Sequence, residues 1–177
     1  MSFSRVLPLL LLLSLVPFVL AAEAGDGAAP DPAAAFESLK ALAGSWHGTS
    51  GPEDGERIEV EHELRVASAG TVVMETMMPG TDHEMINMYH MNGDDLVLTH
   101  YCAGGNQPHM KYDPSRSSAG KLVFDFAGGT NLDPEKDGHI HSATLVLGED
   151  GIEEHWNAYF GGKPASTSVF RLTRKDG

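Results

Sequence analysis

Nine histidines in 177 residues are the first feature with chemical content, because imidazole is a base, a proton carrier and a common metal ligand near neutral pH. His62 is marked by its phase. It falls in the apolar series Ile58, Val60, His62, Leu64 and Val66, whose intervening positions are Glu59, Glu61, Glu63 and Arg65, so it points into whatever that strand covers. His100 shares a face with Leu96, Leu98 and Cys102. Imidazole beside thiol is the pairing that generates a thiolate nucleophile, but no third orienting group is visible, and the thiol reads as inert and buried. His139 and His141 are spaced to project from one side of a strand, as in two-histidine metal sites, with His155 as a third ligand if folding brings it near.

Sulfur and aromatic groups add to this set. Met74, Met77, Met78, Met85, Met88 and Met91 fall within eighteen positions. Flexible thioethers fill irregular cores and line pockets that adapt to apolar guests, and with His83, His90 and His109 nearby they would also suit Cu(I). Asn87, Tyr89, Trp156, Asn157 and Tyr159 can hydrogen-bond or stack on a guest. From these we expect a binding surface made of His62, Met85, Tyr89, His100 and Trp156. No phosphate loop, Gly-x-Ser-x-Gly elbow, His-Glu-x-x-His or Cys-x-x-Cys occurs, which argues against nucleotide use, the common hydrolases and structural zinc.

The composition narrows the partners. Twelve Lys and Arg stand against 25 Asp and Glu, a formal net charge of −13, which repels nucleic-acid backbones and anionic lipid surfaces. Arg5, an apolar run over 6–20 and the small residues Ala21, Ala22 and Ala24 read as a signal peptide over 1–24, cleaved near Ala24. That implies a secreted or periplasmic protein with no membrane span in its mature part. Cys102 is the one cysteine, so no internal disulfide forms and stability must come from a large core.

The elements that position the candidates follow from periodicity. Residues 25–32 are a small-residue linker expected to be disordered. A helix begins at Asp31 and Pro32, shows Phe36, Leu39, Leu42 and Ala43 at helical spacing, and ends by Gly44. Beyond Gly44 everything reads as strand: 45–49, 57–66, 71–78, 84–91, 96–102, 109–112, 121–127, 140–147, 152–160 and 166–174. Many are separated by turn signals such as Asn92-Gly93-Asp94 and Gly161-Gly162,. Hairpin-length links between about ten strands predict an all-β, antiparallel up-and-down barrel over 33–177 with one short N-terminal helix, because closure removes exposed edges.

At Gly44-Ser45-Trp46, with Val169-Phe170-Arg171-Leu172 at the far end, the chain resembles lipocalin-like, calycin-type barrels. The resemblance implies that Trp46 sits at the closed base with Arg171 packed across its ring, a structural pair. The segments 36–46 and 98–108 are similar to a group of uncharacterised bacterial lipocalin-like proteins. The haem-binding nitrobindins share the Gly-x-Trp entry, although no position here matches their iron-ligating histidine. Together these readings lead us to expect an exported protein that holds a small apolar or amphiphilic molecule inside a barrel. The alternatives are a haem- or metal-binding barrel using inward histidines, and an enzyme with an interior histidine as general base.

Overall fold

The computed structural model describes residues 27–175; the signal peptide expected over 1–24 lies outside them, as does the start of the linker. The helix α1 spans Pro32–Lys40, and ten strands follow: β1 Gly44–Gly51, β2 Ile58–Ala67, β3 Val72–Met77, β4 Met85–Asn92, β5 Asp95–Tyr101, β6 Gln107–Tyr112, β7 Lys121–Thr130, β8 His139–Leu147, β9 Gly151–Phe160 and β10 Lys163–Arg174. Each strand pairs antiparallel with its sequence neighbours, and β1 pairs with β10 to close the barrel. The expected architecture is the one observed. Two-residue links do much of the work. Between β9 and β10 both Gly161 and Gly162 have positive φ, 58° and 71°, the left-handed geometry whose twist matches that of the flanking strands.

One end of the barrel is sealed by α1. Asp31 caps it through its side chain and Ala34 N–H at 2.8 Å, which satisfies a donor the helix cannot. Its buried face, Ala35, Phe36 and Leu39, lies against β4 and β5. The segment entering it is also tied down, since the Tyr112 hydroxyl donates to the Pro30 carbonyl and the Ala119 N–H to that of Gly27. Trp46 completes the seal, its indole N–H donating to the Leu42 carbonyl at 2.9 Å.

The cation on Trp46 is Arg174, not the expected Arg171. Register decides this. Trp46 stands opposite Arg174, whereas Arg171 stands opposite Thr49 and lies out of phase with the buried Phe170 and Leu172. The Arg174 guanidinium sits 4.4 Å from the Trp46 ring centroid and donates to the carbonyls of Ala43 and Ala41, at 2.8 and 3.1 Å, which leave the end of α1. Arg171 is on the outer surface, bridging Glu153 and Glu53. The same closing seam requires Gly48, where a Cβ would overlap the Arg171 carbonyl.

Above the base the lumen is filled by side chains. Leu96, Leu98, Met110, Tyr112, Leu122, Phe124, Leu145 and Ile152 are all buried there. Of the apolar series on β2, Val60 and Leu64 join this core, but Ile58 and Val66 at the strand ends are 60% and 40% exposed. No described helix is long and apolar enough to cross a membrane.

Candidate functional site

A layer of polar side chains crosses the lumen above the apolar fill. It arises wherever a polar residue falls in the inward phase of its strand: His62 on β2, Glu75 on β3, Asn87 and Tyr89 on β4, His100 on β5, and Glu154 beside Trp156 on β9, all of them buried. Glu75 is the hub. His62 Nδ1 lies 2.9 Å from Glu75 Oε1, and Asn87 Nδ2 and the Tyr89 hydroxyl donate to Oε2 at 2.9 and 3.0 Å. Glu154 accepts from the Trp156 indole N–H at 2.9 Å, and its other oxygen lies 3.9 Å from His62 Nδ1.

Two carboxyls this close in a dry interior cannot both ionise. Burial, and then the charge of Glu75, push Glu154 well above the usual carboxylate range, so it keeps its proton. Burial works against the charge of Glu75 too, but the hydrogen bonds from His62, Glu154 and Asn87 outweigh it and hold that carboxyl below its ordinary value. With Glu75 ionised, His62 Nδ1 carries the hydrogen of their contact. Burial, reinforced by Glu75 and Glu154, raises Tyr89 well above the phenol range, so it remains a donor.

His100 is fixed by the same chain of bonds. Asn87 uses its amino group on Glu75 Oε2 and on the Met77 sulfur, 3.2 Å away, which turns its carbonyl oxygen to His100 Nδ1 at 2.7 Å. Nδ1 is therefore the protonated nitrogen and Nε2 carries the lone pair. Burial lowers the His100 pKa to about 4 against a smaller opposing pull from Glu75, so the ring is neutral at pH 7. His100 Nε2 is buried with no hydrogen-bond partner, and so is His62 Nε2, an uncommon state that invites a ligand.

Among the described residues, an interior void and an outer cleft could receive one. A void of about 60 Å³ inside the barrel is lined by Met77, Met85, His100, Ile140, Trp156, Ser168 and Phe170. A cleft of about 820 Å³ lies outside, bordered by Ile58, Val60, Met78, Pro79, His47 and His83 among others. The cleft exists because β2 outruns its neighbour. The register of β3 on β2 stops at His62 opposite Met77, with one further bond from the Met78 N–H to the Glu61 carbonyl. There the chain turns away through Met78, a non-glycine residue at φ 51°, and leaves the first residues of β2 uncovered. A haem inside the barrel does not fit: a ligand of that size needs several hundred Å³, far more than the interior void.

Of the expected binding residues, His62, Tyr89, His100 and Trp156 converge on the polar layer and Met85 lines the void beside it. The weaker metal candidates separate. A bulge between Ile140 and Ser142 brings the rings of His139 and His141 together at 3.1 Å, where His141 stacks on Phe126 and Tyr159. His155 stands opposite Thr144, further along β8, and its Nε2 meets Glu153 at 2.7 Å. The one group of three His, Cys, Asp or Glu donors that converge among the described residues is His62, Glu75 and Glu154, within 4.8 Å of one another; these could take a divalent cation. Cys102 lies past the end of β5, its sulfur accepting from the Gly104 N–H at 3.4 Å, while His100 turns to Asn87. Glu75 and Glu154 were not among the residues expected at the site. Their phase was the available signal, since Glu75 alternates with Val73 and Met77, and Glu154 with Ile152 and Trp156.

Among solved structures the chain is similar to the crystal structure of Rv2717c from M. tuberculosis, with a TM-score of 0.50 at 16% sequence identity, covering 80% of this chain and 98% of that one. At that identity the likeness is one of fold, and it agrees with the barrel described above. No protein-family model and no curated protein sequence matches the chain.

Proposed function

We propose that this chain is an exported, lipocalin-like binding protein whose guest is a small apolar or amphiphilic molecule, seated in the cleft beside β2 and not in the closed lumen. The observation that carries the reading is the cleft itself. Its volume of about 820 Å³ falls within the range of pockets that bury small organic ligands. Its border sets the apolar Ile58, Val60, Met78 and Pro79 among six polar or charged residues, Glu59, Glu61 and Lys175 included, a mixture that suits an amphiphilic guest, and Ile58 is 60% exposed, an apolar surface that nothing among the described residues covers. The 60 Å³ interior void admits only an ion or a few atoms.

The neutral apolar dye N-phenyl-1-naphthylamine tests this. Its fluorescence should rise saturably at one site per chain, and Ile58→Asp should weaken binding at least tenfold without altering the fold, since the side chain is exposed. No saturable binding, or binding indifferent to Ile58→Asp, would overturn the assignment.

A further inference from the structure

The interior void differs from the cleft in kind, and the cleft reading has no bearing on it. Its wall carries two thioethers, Met77 and Met85, one imidazole, His100, and one indole, Trp156. The imidazole is the neutral tautomer with a bare Nε2, buried and without a partner. Its other nitrogen is held by Asn87 at 2.7 Å, and Asn87 in turn by the Glu75 carboxylate at 2.9 Å. That backing is the outer-shell arrangement that orients metal-ligating histidines and raises their basicity.

We propose that this void is a binding site for one soft monovalent cation, Cu(I), held by His100 Nε2 and the sulfurs of Met77 and Met85 beside the face of Trp156.

The donor set selects the ion. Thioether sulfur is a soft, uncharged ligand that favours Cu(I) over Zn²⁺, Mg²⁺ or Ca²⁺, which prefer thiolate, imidazole or oxygen. Trp156 stands with its ring 5.3 Å from that of His100, near enough for an ion on Nε2 to be drawn to the indole face, the strongest of the cation–π partners. The ion brings a charge into a dry interior, and Glu75, linked to His100 through Asn87, supplies the opposite charge. The void is large enough, since one water needs only about 10–15 Å³ measured in the same way and a bare copper ion is no larger. A route exists as well. Ser168 is on the wall and exposed, where β10 runs past the last β1 pairing at Gly51 and Val169. Copper remains Cu(I) throughout, so no electron is transferred.

The test titrates the purified protein anaerobically with Cu(I) buffered by bicinchoninate. We expect one equivalent to be withdrawn from the chelator. Met77→Leu and Met85→Leu, which keep side-chain volume, should each weaken binding at least tenfold and together at least a hundredfold, while Met88→Leu leaves it unchanged. No withdrawal of Cu(I), or full binding by the double variant, would overturn the site. Should the double variant fail to fold, the methionine methyl carbon-13 spectrum of the unaltered chain decides. With one equivalent of Cu(I) the Met77 and Met85 signals should shift and those of Met78 and Met88 should stay, and any other pattern contradicts the proposal. Dye binding measured on the same samples separates the two sites, because loss of the dye leaves the copper result standing.

Discussion

Replacing Arg174 by alanine removes a side chain that joins the last strand, the first strand and the end of α1. The guanidinium lies 4.4 Å over Trp46, a contact worth about 1 kcal/mol at a partly exposed site. Its bonds to the Ala43 and Ala41 carbonyls, at 2.8 and 3.1 Å, add about 0.5 kcal/mol each at the surface. The loss is therefore about 2 kcal/mol, or roughly 4–8 °C in Tm for a domain of this size. Arg171→Ala is the control, because it breaks two surface ion pairs, with Glu153 and Glu53, and should cost about 0.5 kcal/mol, since exposed pairs contribute little. Urea unfolding followed by tryptophan fluorescence measures both, with Trp46 itself a reporter of the base. An Arg171→Ala loss equal to or larger than that of Arg174→Ala would refute the register argument and restore the partner expected from the sequence.

Gly48→Ala should destabilise by about 3 kcal/mol, the upper range for overpacking, since its Cβ would overlap the Arg171 carbonyl; a normal urea midpoint would show that the β1–β10 seam is looser than described. Glu154→Gln should cost about 1 kcal/mol or less, because Glu154 already carries a proton, whereas Glu75→Leu should cost about 3–5 kcal/mol by stranding the donors of His62, Asn87 and Tyr89. Equal losses in chemical denaturation would contradict the division of charge between the two. Acid should weaken the fold before the surface carboxylates titrate. His100 has a folded pKa of about 4 against 6.5 when unfolded, so below pH 6.5 the unfolded chain binds the extra proton. Its contribution is complete above that pH and falls as pH drops toward 4, by about 2.5 kcal/mol at pH 4.5. His141, lowered by burial and by His139, acts in the same sense. Unfolding curves that coincide at pH 7 and pH 4.5 would exclude a neutral buried His100.

Alternation made the barrel legible, because each strand shows one dry face and turn residues mark where each ends. His62 announced its direction in the same way. What misled was treating residue type as stronger than phase. Glu75 and Glu154 keep step with apolar neighbours, and the inward phase wins because three donors meet Glu75 and the proton stays on Glu154. Phase also separates the arginines, since Arg171 sits between the buried Phe170 and Leu172 while Arg174 continues their inward series. The cleft was not legible at all. It depends on where β3 leaves β2, a matter of register between segments whose facing residues no local pattern specifies.

On the function proposed above, the guest sits beside β2 and outside the lumen. Met78 borders the cleft and Met77, its neighbour in sequence, lines the interior, so a methionine methyl carbon-13 spectrum recorded while N-phenyl-1-naphthylamine is added distinguishes the two spaces directly. The Met78 signal should shift progressively to saturation while those of Met77, Met85 and Met110 stay in place. Shifts at Met77, Met85 and Met110 with Met78 unmoved would put the guest inside the barrel and contradict the account.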